Sequence, residues 1–443
     1  MRQSRAAEHT LTRVAPTGKV DRQARYFAAL LPNTGEFMSS SLASTHDSVA
    51  SRSDVTSSVA TTFSITSWVL YAVLFSSTCI VVGLIWDISW HMTVGRDTLW
   101  TAPHVLEQIG ASVAGLACGA LVLKTTFAGS EGERARSVRF WGFTAPLGTW
   151  ICIWGALAMI ASVPFDNWWH NAYGLDVKII SPPHVILIAG MMGIQLGAMI
   201  MALGAQNRAA AAHAEERRLG LMYVFAAGIF LAMMSIFVTE YAAKPNLMRG
   251  SMFYQITGGL FPLLLLGVAR ASRLRWPATT TAAVYMGITV VMIWILQLFP
   301  AVPKLAPIYN PVTHMVAMDF PLLLIIPAFV LDVLMHRVDS DRSWMLAAAA
   351  GATFVLIMLA VHWFWADFML SPYARNDVFA ADRWPYMSRL GPWRYEYWTL
   401  DRDAAGNFSP LLLAKGIGIA MVIAILSSRI GLAWGNWMKR VQR

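Results

Sequence analysis

Charge is scarce in this chain. Only 13% of its 443 residues are Asp, Glu, Lys or Arg, against about 25% in a typical soluble domain. Beside 56% hydrophobic residues, that scarcity excludes an ordinary soluble protein. Cysteine is nearly absent too. The three present, Cys79, Cys118 and Cys152, all fall inside apolar segments, which argues against a disulfide framework and reads as small apolar packing. A long apolar run is missing from residues 1–65, so the basic start is not expected to open a signal peptide. Rich in Ser, Thr and Ala, this stretch reads as a disordered cytoplasmic tail, with His9 and His46 solvated in it.

What fills the remainder is apolar sequence in runs of about 20 residues, the length that crosses a bilayer core as a helix. Ten such runs fall at about 66–86, 105–125, 140–163, 184–204, 220–239, 252–270, 278–299, 313–335, 344–365 and 409–431. They predict an all-α polytopic membrane protein of about ten transmembrane helices in five hairpins. The net charge of +9 invites a nucleic-acid partner, but the positions of the basic residues argue against one. Arg134, Arg136 and Arg139, Arg208, Arg217 and Arg218, Arg270, Arg273 and Arg275, Arg337 and Arg342, and Lys439, Arg440 and Arg443 occupy alternate connections and the C-terminal end. The positive-inside rule assigns all of these, and both termini, to the cytoplasm of a multi-pass inner-membrane protein. Anionic headgroups of the lipid bilayer are a sufficient partner for such charge, and no nucleic acid is expected.

One spacing of metal-ligating residue types occurs twice. Asp87, His91 and His104 give Asp-x3-His-x12-His, and Asp166, His170 and His184 give Asp-x3-His-x13-His. Each copy begins at the end of one apolar segment and closes at the start of the next. An acid and a histidine four apart share a helix face, and the second histidine returns from the facing helix. An acid near the bilayer is costly unless paired or coordinated. Two imidazoles and a carboxylate suit Cu(II), Zn, Fe or Ni, and spacing alone does not choose. Three protein ligands leave a position open for water, oxygen or substrate. The other histidines at span ends, His314 and His362, read as structural. Met191, Met192, Met199 and Met201 read as gap-filling core. Asp319 and Lys415 stand out as ionisable residues within spans.

The stretch DISWHMTVGRDTLWTAPHVLEQIG resembles the signature of the C subunit of particulate methane and ammonia monooxygenases. Asp87, His91, Arg96-Asp97-Thr98, Thr101, His104 and Glu107 match it, with the proline displaced by one position to Pro103. The resemblance implies a copper site at Asp87, His91 and His104. The same subunit has a second copper site of the form Asn-x3-His-x13-His. Here His170 and His184 match and Asp166 replaces the asparagine, a change expected to favour a more oxidised or harder ion. The resemblance covers roughly residues 66–204, a metal-binding four-helix region. Residues 205–443, a six-helix membrane region with a long aromatic loop at 366–408, carry no motif that extends it.

Together these readings predict a copper-dependent membrane oxidoreductase, or a subunit of one, with two copper sites toward the periplasmic face. It would hydroxylate a small apolar substrate with O2 and draw on further subunits, including a soluble copper domain and an electron donor. Asp97, as acceptor from a ligand histidine's other N–H, and Glu107, one turn beyond His104 and a candidate proton relay, are the expected supporting acids. The alternative is a membrane metal-binding or transport protein without redox catalysis. Transport is the weaker reading because the ligands cluster at one interface and intramembrane charge is sparse. A scaffold with an assembly role is a third.

Overall fold

The computed structural model describes residues 45–174, 181–209, 213–338, 343–398 and 400–442. The chain divides into two units, Met1–Thr61 and Thr62–Arg443. Of the tail expected over 1–65, residues 1–44 lie outside the described residues, and from Thr45 the chain belongs to the first helix. The helices are α1 (Thr45–Thr93), α2 (Ala102–Ala128), the short α3 (Glu131–Ala135), α4 (Leu147–Tyr173), α5 (Pro182–Arg208), α6 (His213–Tyr241), α7 (Ser251–Ala271), α8 (Pro277–Leu296), α9 (Ile325–Arg337), α10 (Ser343–Leu370) and α11 (Pro410–Met438). Among the described residues nine helices are long and apolar enough to cross a membrane. The protein is therefore an all-α polytopic membrane protein. Cys79, Cys118 and Cys152 are free and buried, and Met191, Met199 and Met201 lie in the core.

Two of the expected spans are corrected. The third begins at Leu147 rather than near residue 140, because β1 (Val138–Phe140) pairs antiparallel with β2 (Phe143–Ala145). Trp141 and Gly142 turn between them with φ of 47° and 86°, the two left-handed residues of a tight hairpin turn. The eighth span, expected over 313–335, is helical only from Ile325. Pro321 removes a backbone donor and disfavours helix at Phe320 before it, so residues 313–324 run without regular structure between the helices.

That irregular stretch is buried at Met315, Val316, Ala317, Met318, Leu322 and Leu324, so its backbone needs partners from neighbouring side chains. Ser89 Oγ donates to the Val316 carbonyl (2.6 Å) and Val316 N–H donates to Thr93 Oγ1 (2.7 Å). Leu322 N–H donates to the Tyr285 hydroxyl at 2.9 Å, and Leu323 N–H to His362 Nε2 at 3.2 Å. His362 Nδ1–H donates in turn to the Met358 carbonyl. This histidine is structural, with both nitrogens committed to backbone. Tyr285→Phe keeps the ring and orphans the Leu322 donor, which is expected to cost about 1–3 kcal/mol. A fall in unfolding temperature in detergent checks this, and an unchanged midpoint would refute it.

Small residues set the closest helix approaches, as expected where lipid offers no hydrophobic drive for association. A Cβ on Gly83 of α1 would lie 2.6 Å from Glu107 Cγ and 3.2 Å from the Pro103 carbonyl of α2. The α4–α5 pair is closer still, with Gly148 against Gly197 and Gly155 against Gly190.

By alternation of the helices, the turns α1–α2, α4–α5, α6–α7 and α10–α11 share one end of the bundle. The long loop expected at 366–408 runs from Leu370 to Ser409 and reaches the α1–α2 and α6–α7 turns. Tyr386 N–H donates to the Met92 carbonyl at the end of α1, and Asn310 N–H to the Tyr386 carbonyl. Asn246 Nδ2 donates to the carbonyls of Arg394 and Glu396. Asp401 accepts from Ser251 N–H and Oγ at the start of α7. The loop is thus part of the packed structure at the end that carries the acid–histidine turns.

Candidate metal centre

The first cluster is built from the last turns of α1, the connection 94–101 and the start of α2. Asp87 and His91 stand one turn apart on α1. Helix α1 stops because Gly95 takes a φ of 87°, a left-handed conformation that only glycine adopts without strain. A Cβ there would also strike the Tyr386 ring, 2.3 Å from its hydroxyl. Trp90 Nε1–H donates to the Arg96 carbonyl at 2.9 Å, and Thr98 N–H donates to Thr101 Oγ1 at 2.7 Å. These bonds fold the connection back over the helix ends and bring Asp97 to the histidines. Pro103 in the first turn of α2 suits a position where no N–H is needed, and His104 follows it.

Four side chains converge. His104 Nε2 lies 3.1 Å from Asp87 Oδ1 and 3.3 Å from Asp97 Oδ2. His91 Nε2 lies 3.6 Å from Asp87 Oδ2 and 3.4 Å from Asp97 Oδ2. Asp87, His91 and Asp97 offer ligand atoms that are all within 4.8 Å of one another. His104 Nδ1–H donates to the Thr98 carbonyl at 2.9 Å, which turns Nε2 toward two carboxylates. Asp87 Oδ1, 3.1 Å away, is buried and has no well-aligned hydrogen bond. Acceptors set against acceptors need a proton or a cation between them. Burial would raise the Asp97 carboxyl, but the His91 hydrogen bond and the charges of His91 and His104 outweigh it and hold the group below its ordinary value.

The second cluster repeats this in looser form. His170 Nε2 lies 3.3 Å from Asp166 Oδ2, and His184 Nε2 lies 3.6 Å from Asp166 Oδ1. His170 Nδ1–H donates to the Gly174 carbonyl at 3.3 Å, again turning Nε2 toward the acid. Asp166 Oδ1 is likewise buried without a hydrogen bond. Residues 175–180 of this turn lie outside the described residues.

The spacings suit a metal. Ligand atoms on a four-coordinate ion, with bonds of about 2.0–2.1 Å to nitrogen or oxygen, lie about 3.3 Å apart. The acid–imidazole separations of 3.1–3.6 Å in both clusters fall around that value. In each cluster both histidines lie within 3.6 Å of the acid, and Asp97 joins the first, where Asp87, His91 and Asp97 form the mutually close group. Glu107 lies beneath, 2% exposed, with Oε1 accepting no hydrogen bond among the described residues. His314 bonds instead to Thr313 Oγ1. Asp319 lines a small cavity with Asn246, Phe320, Trp384 and Tyr395, and Lys415 is exposed near the start of α11.

The fold and the site define a polytopic helical membrane protein with two acid–histidine clusters at one end of its bundle. Comparison with protein-family models, curated proteins and solved structures finds no match.

Proposed function

We propose that the chain is a copper-binding membrane oxidoreductase, or the metal-carrying subunit of one, that hydroxylates a small apolar substrate with O2. The observation that carries this reading is the recurrence, at one end of the bundle, of a carboxylate faced by two imidazole nitrogens. The residue types suit Cu(II) among other ions, and the resemblance of the 87–107 stretch to the monooxygenase C subunit selects copper among them. Asp87, His91 and His104 would hold one ion and Asp166, His170 and His184 the other. Bound copper would supply one-electron chemistry toward O2. The reaction takes R–H, O2, two electrons and two protons to R–OH and water, so an electron donor and a soluble copper-carrying chain are the proposed partners.

The chain's own contribution is orientation. The Thr98 carbonyl holds the His104 ring with Nε2 inward, and the Gly174 carbonyl does the same for His170. The His91 side chain is 49% exposed, which leaves an approach for a small solute. Glu107, one turn into α2 and buried beneath the cluster, is the proposed proton relay. Basic residues at the opposite helix ends support placing both clusters on the outer face of the cytoplasmic membrane.

Metal analysis of the full chain in native-like lipid tests the reading. Two copper ions per chain are expected, falling by one in His91→Ala and by one in His170→Ala. Zinc in place of copper, or copper indifferent to both changes, would overturn it. Metal flux into proteoliposomes without oxygen consumption, once partners are supplied, would establish transport instead.

A further inference from the structure

The supporting role expected for Asp97 requires its carboxylate to sit behind a ligand histidine, on the nitrogen that does not face the ion. That position on His104 is already filled, since Nδ1–H donates to the Thr98 carbonyl. Asp97 Oδ2 lies instead on the same side as Asp87, 3.3 Å from His104 Nε2 and 3.4 Å from His91 Nε2. One oxygen placed almost equally from two inward-facing nitrogens, at the ligand-to-ligand spacing of a four-coordinate ion, is in the ligand position.

The sequence carries an independent sign. The repeat is longer than its acids and histidines. Gly95 and Asp97 stand eight and ten residues after Asp87, and Gly174 and Asp176 stand eight and ten after Asp166. Both glycines follow a helix end with left-handed φ, 87° and 90°. Gly95 N–H donates to the Trp90 carbonyl and Gly174 N–H to the His170 carbonyl. A helix stop that turns the chain back, then an aspartate two residues later, recurs beside the same two ligand types. Asp176 itself lies outside the described residues.

We propose that Asp97 is a direct metal ligand, completing with Asp87, His91 and His104 a centre of two imidazoles and two carboxylates. This rests on the first cluster being a metal site, and it deepens that reading. A second carboxylate adds negative charge and a hard oxygen, and so favours an oxidised or hard ion at this cluster. It also fills the position that three ligands would leave open, so O2 would meet this ion only as a fifth ligand or react at the second cluster. The Tyr386 ring against Gly95 and the Tyr386 N–H on the Met92 carbonyl hold the turn that delivers Asp97.

The test uses the full chain carrying His170→Ala, so that only the first cluster binds, with Co(II) as the probe. Asp97→Cys places a thiolate where the carboxylate stood. If Asp97 is a ligand, the Co(II)-loaded variant gains an intense near-ultraviolet thiolate-to-metal band that the His170→Ala parent lacks. A residue acting only through a histidine would produce no such band. Asp97→Asn, close in shape, is expected to weaken Co(II) binding by more than the roughly 10–100-fold typical of losing an outer partner. One bound Co(II) without the band in Asp97→Cys, or a loss below about 10-fold in Asp97→Asn, overturns the assignment and leaves the metal reading standing. A parent protein that binds no ion, while wild type also binds none, overturns both.

Discussion

Gly190→Leu is expected to separate α4 from α5 and to abolish the second cluster while sparing the first. A Cβ at Gly190 would lie 2.7 Å from the Gly155 carbonyl oxygen and 2.8 Å from Met159 N. Ordinary Cβ contacts are 3.4–4 Å. These neighbours are backbone, so no side chain can swing aside and the helices must part. Overpacking a tight contact costs about 1–3 kcal/mol, and leucine adds three more carbons to the clash. Asp166 and His170 ride on α4 and His184 on α5, so the same displacement pulls the trio apart. The checks are a lowered unfolding midpoint in detergent and loss of the His170-dependent ion with retention of the His91-dependent one. Gly190→Ala should show the same pattern more weakly. A leucine variant with wild-type midpoint and metal content would show that the α4–α5 contact is not the one described.

Asp332→Ala is the second substitution expected to have a large effect. Asp332 on α9 is 1% exposed, and its carboxylate reaches across to the start of α8. It accepts from Ala278 N–H at 3.1 Å, Thr279 N–H at 2.8 Å and Thr279 Oγ1 at 2.7 Å. Helix α8 has no cap from its own N-cap residue, Trp276, so an acid from the neighbouring helix meets the unpaired donors and the positive end of the helix dipole. Alanine strands two backbone donors and a hydroxyl in a buried place, at about 1–3 kcal/mol for each group left unsatisfied. We expect a total of roughly 3–5 kcal/mol, with Asp332→Asn losing less because its carbonyl still accepts. Chemical unfolding in mixed micelles measures the difference. Equal stability of the alanine and wild-type proteins would contradict the capping role.

The two substitutions show where sequence stopped being legible. Apolar runs and alternate basic connections announce the crossings, because a bilayer demands about 20 apolar residues whatever their neighbours are. Gly148, Gly155, Gly190 and Gly197 reveal nothing of their pairing until α4 and α5 are seen side by side, since close approach belongs to two helices at once. The eighth span misleads for a similar reason. Residues 313–324 are apolar enough for a helix, and Pro321 was the local warning. Their irregular backbone becomes tenable only through Ser89, Thr93, Tyr285 and His362, drawn from three other helices. Asp332 offered no sign in its own neighbourhood, because the donors it meets are more than fifty residues away.

The acid–histidine trios were readable because their partners are local. Asp87 with His91, and Asp166 with His170, need only one helix turn, and a hairpin returns the second histidine. Sequence by itself thus determined the membrane class, the hairpin order and the six ligand candidates, all of which rest on hydropathy and short spacings. Tertiary structure decided the side of the histidines on which Asp97 lies, the break in the eighth span, and the seating of the long loop across the helix ends. Each of these depends on hydrogen bonds or contacts made between distant segments, or on the path of a turn, and neither composition nor periodicity encodes such geometry.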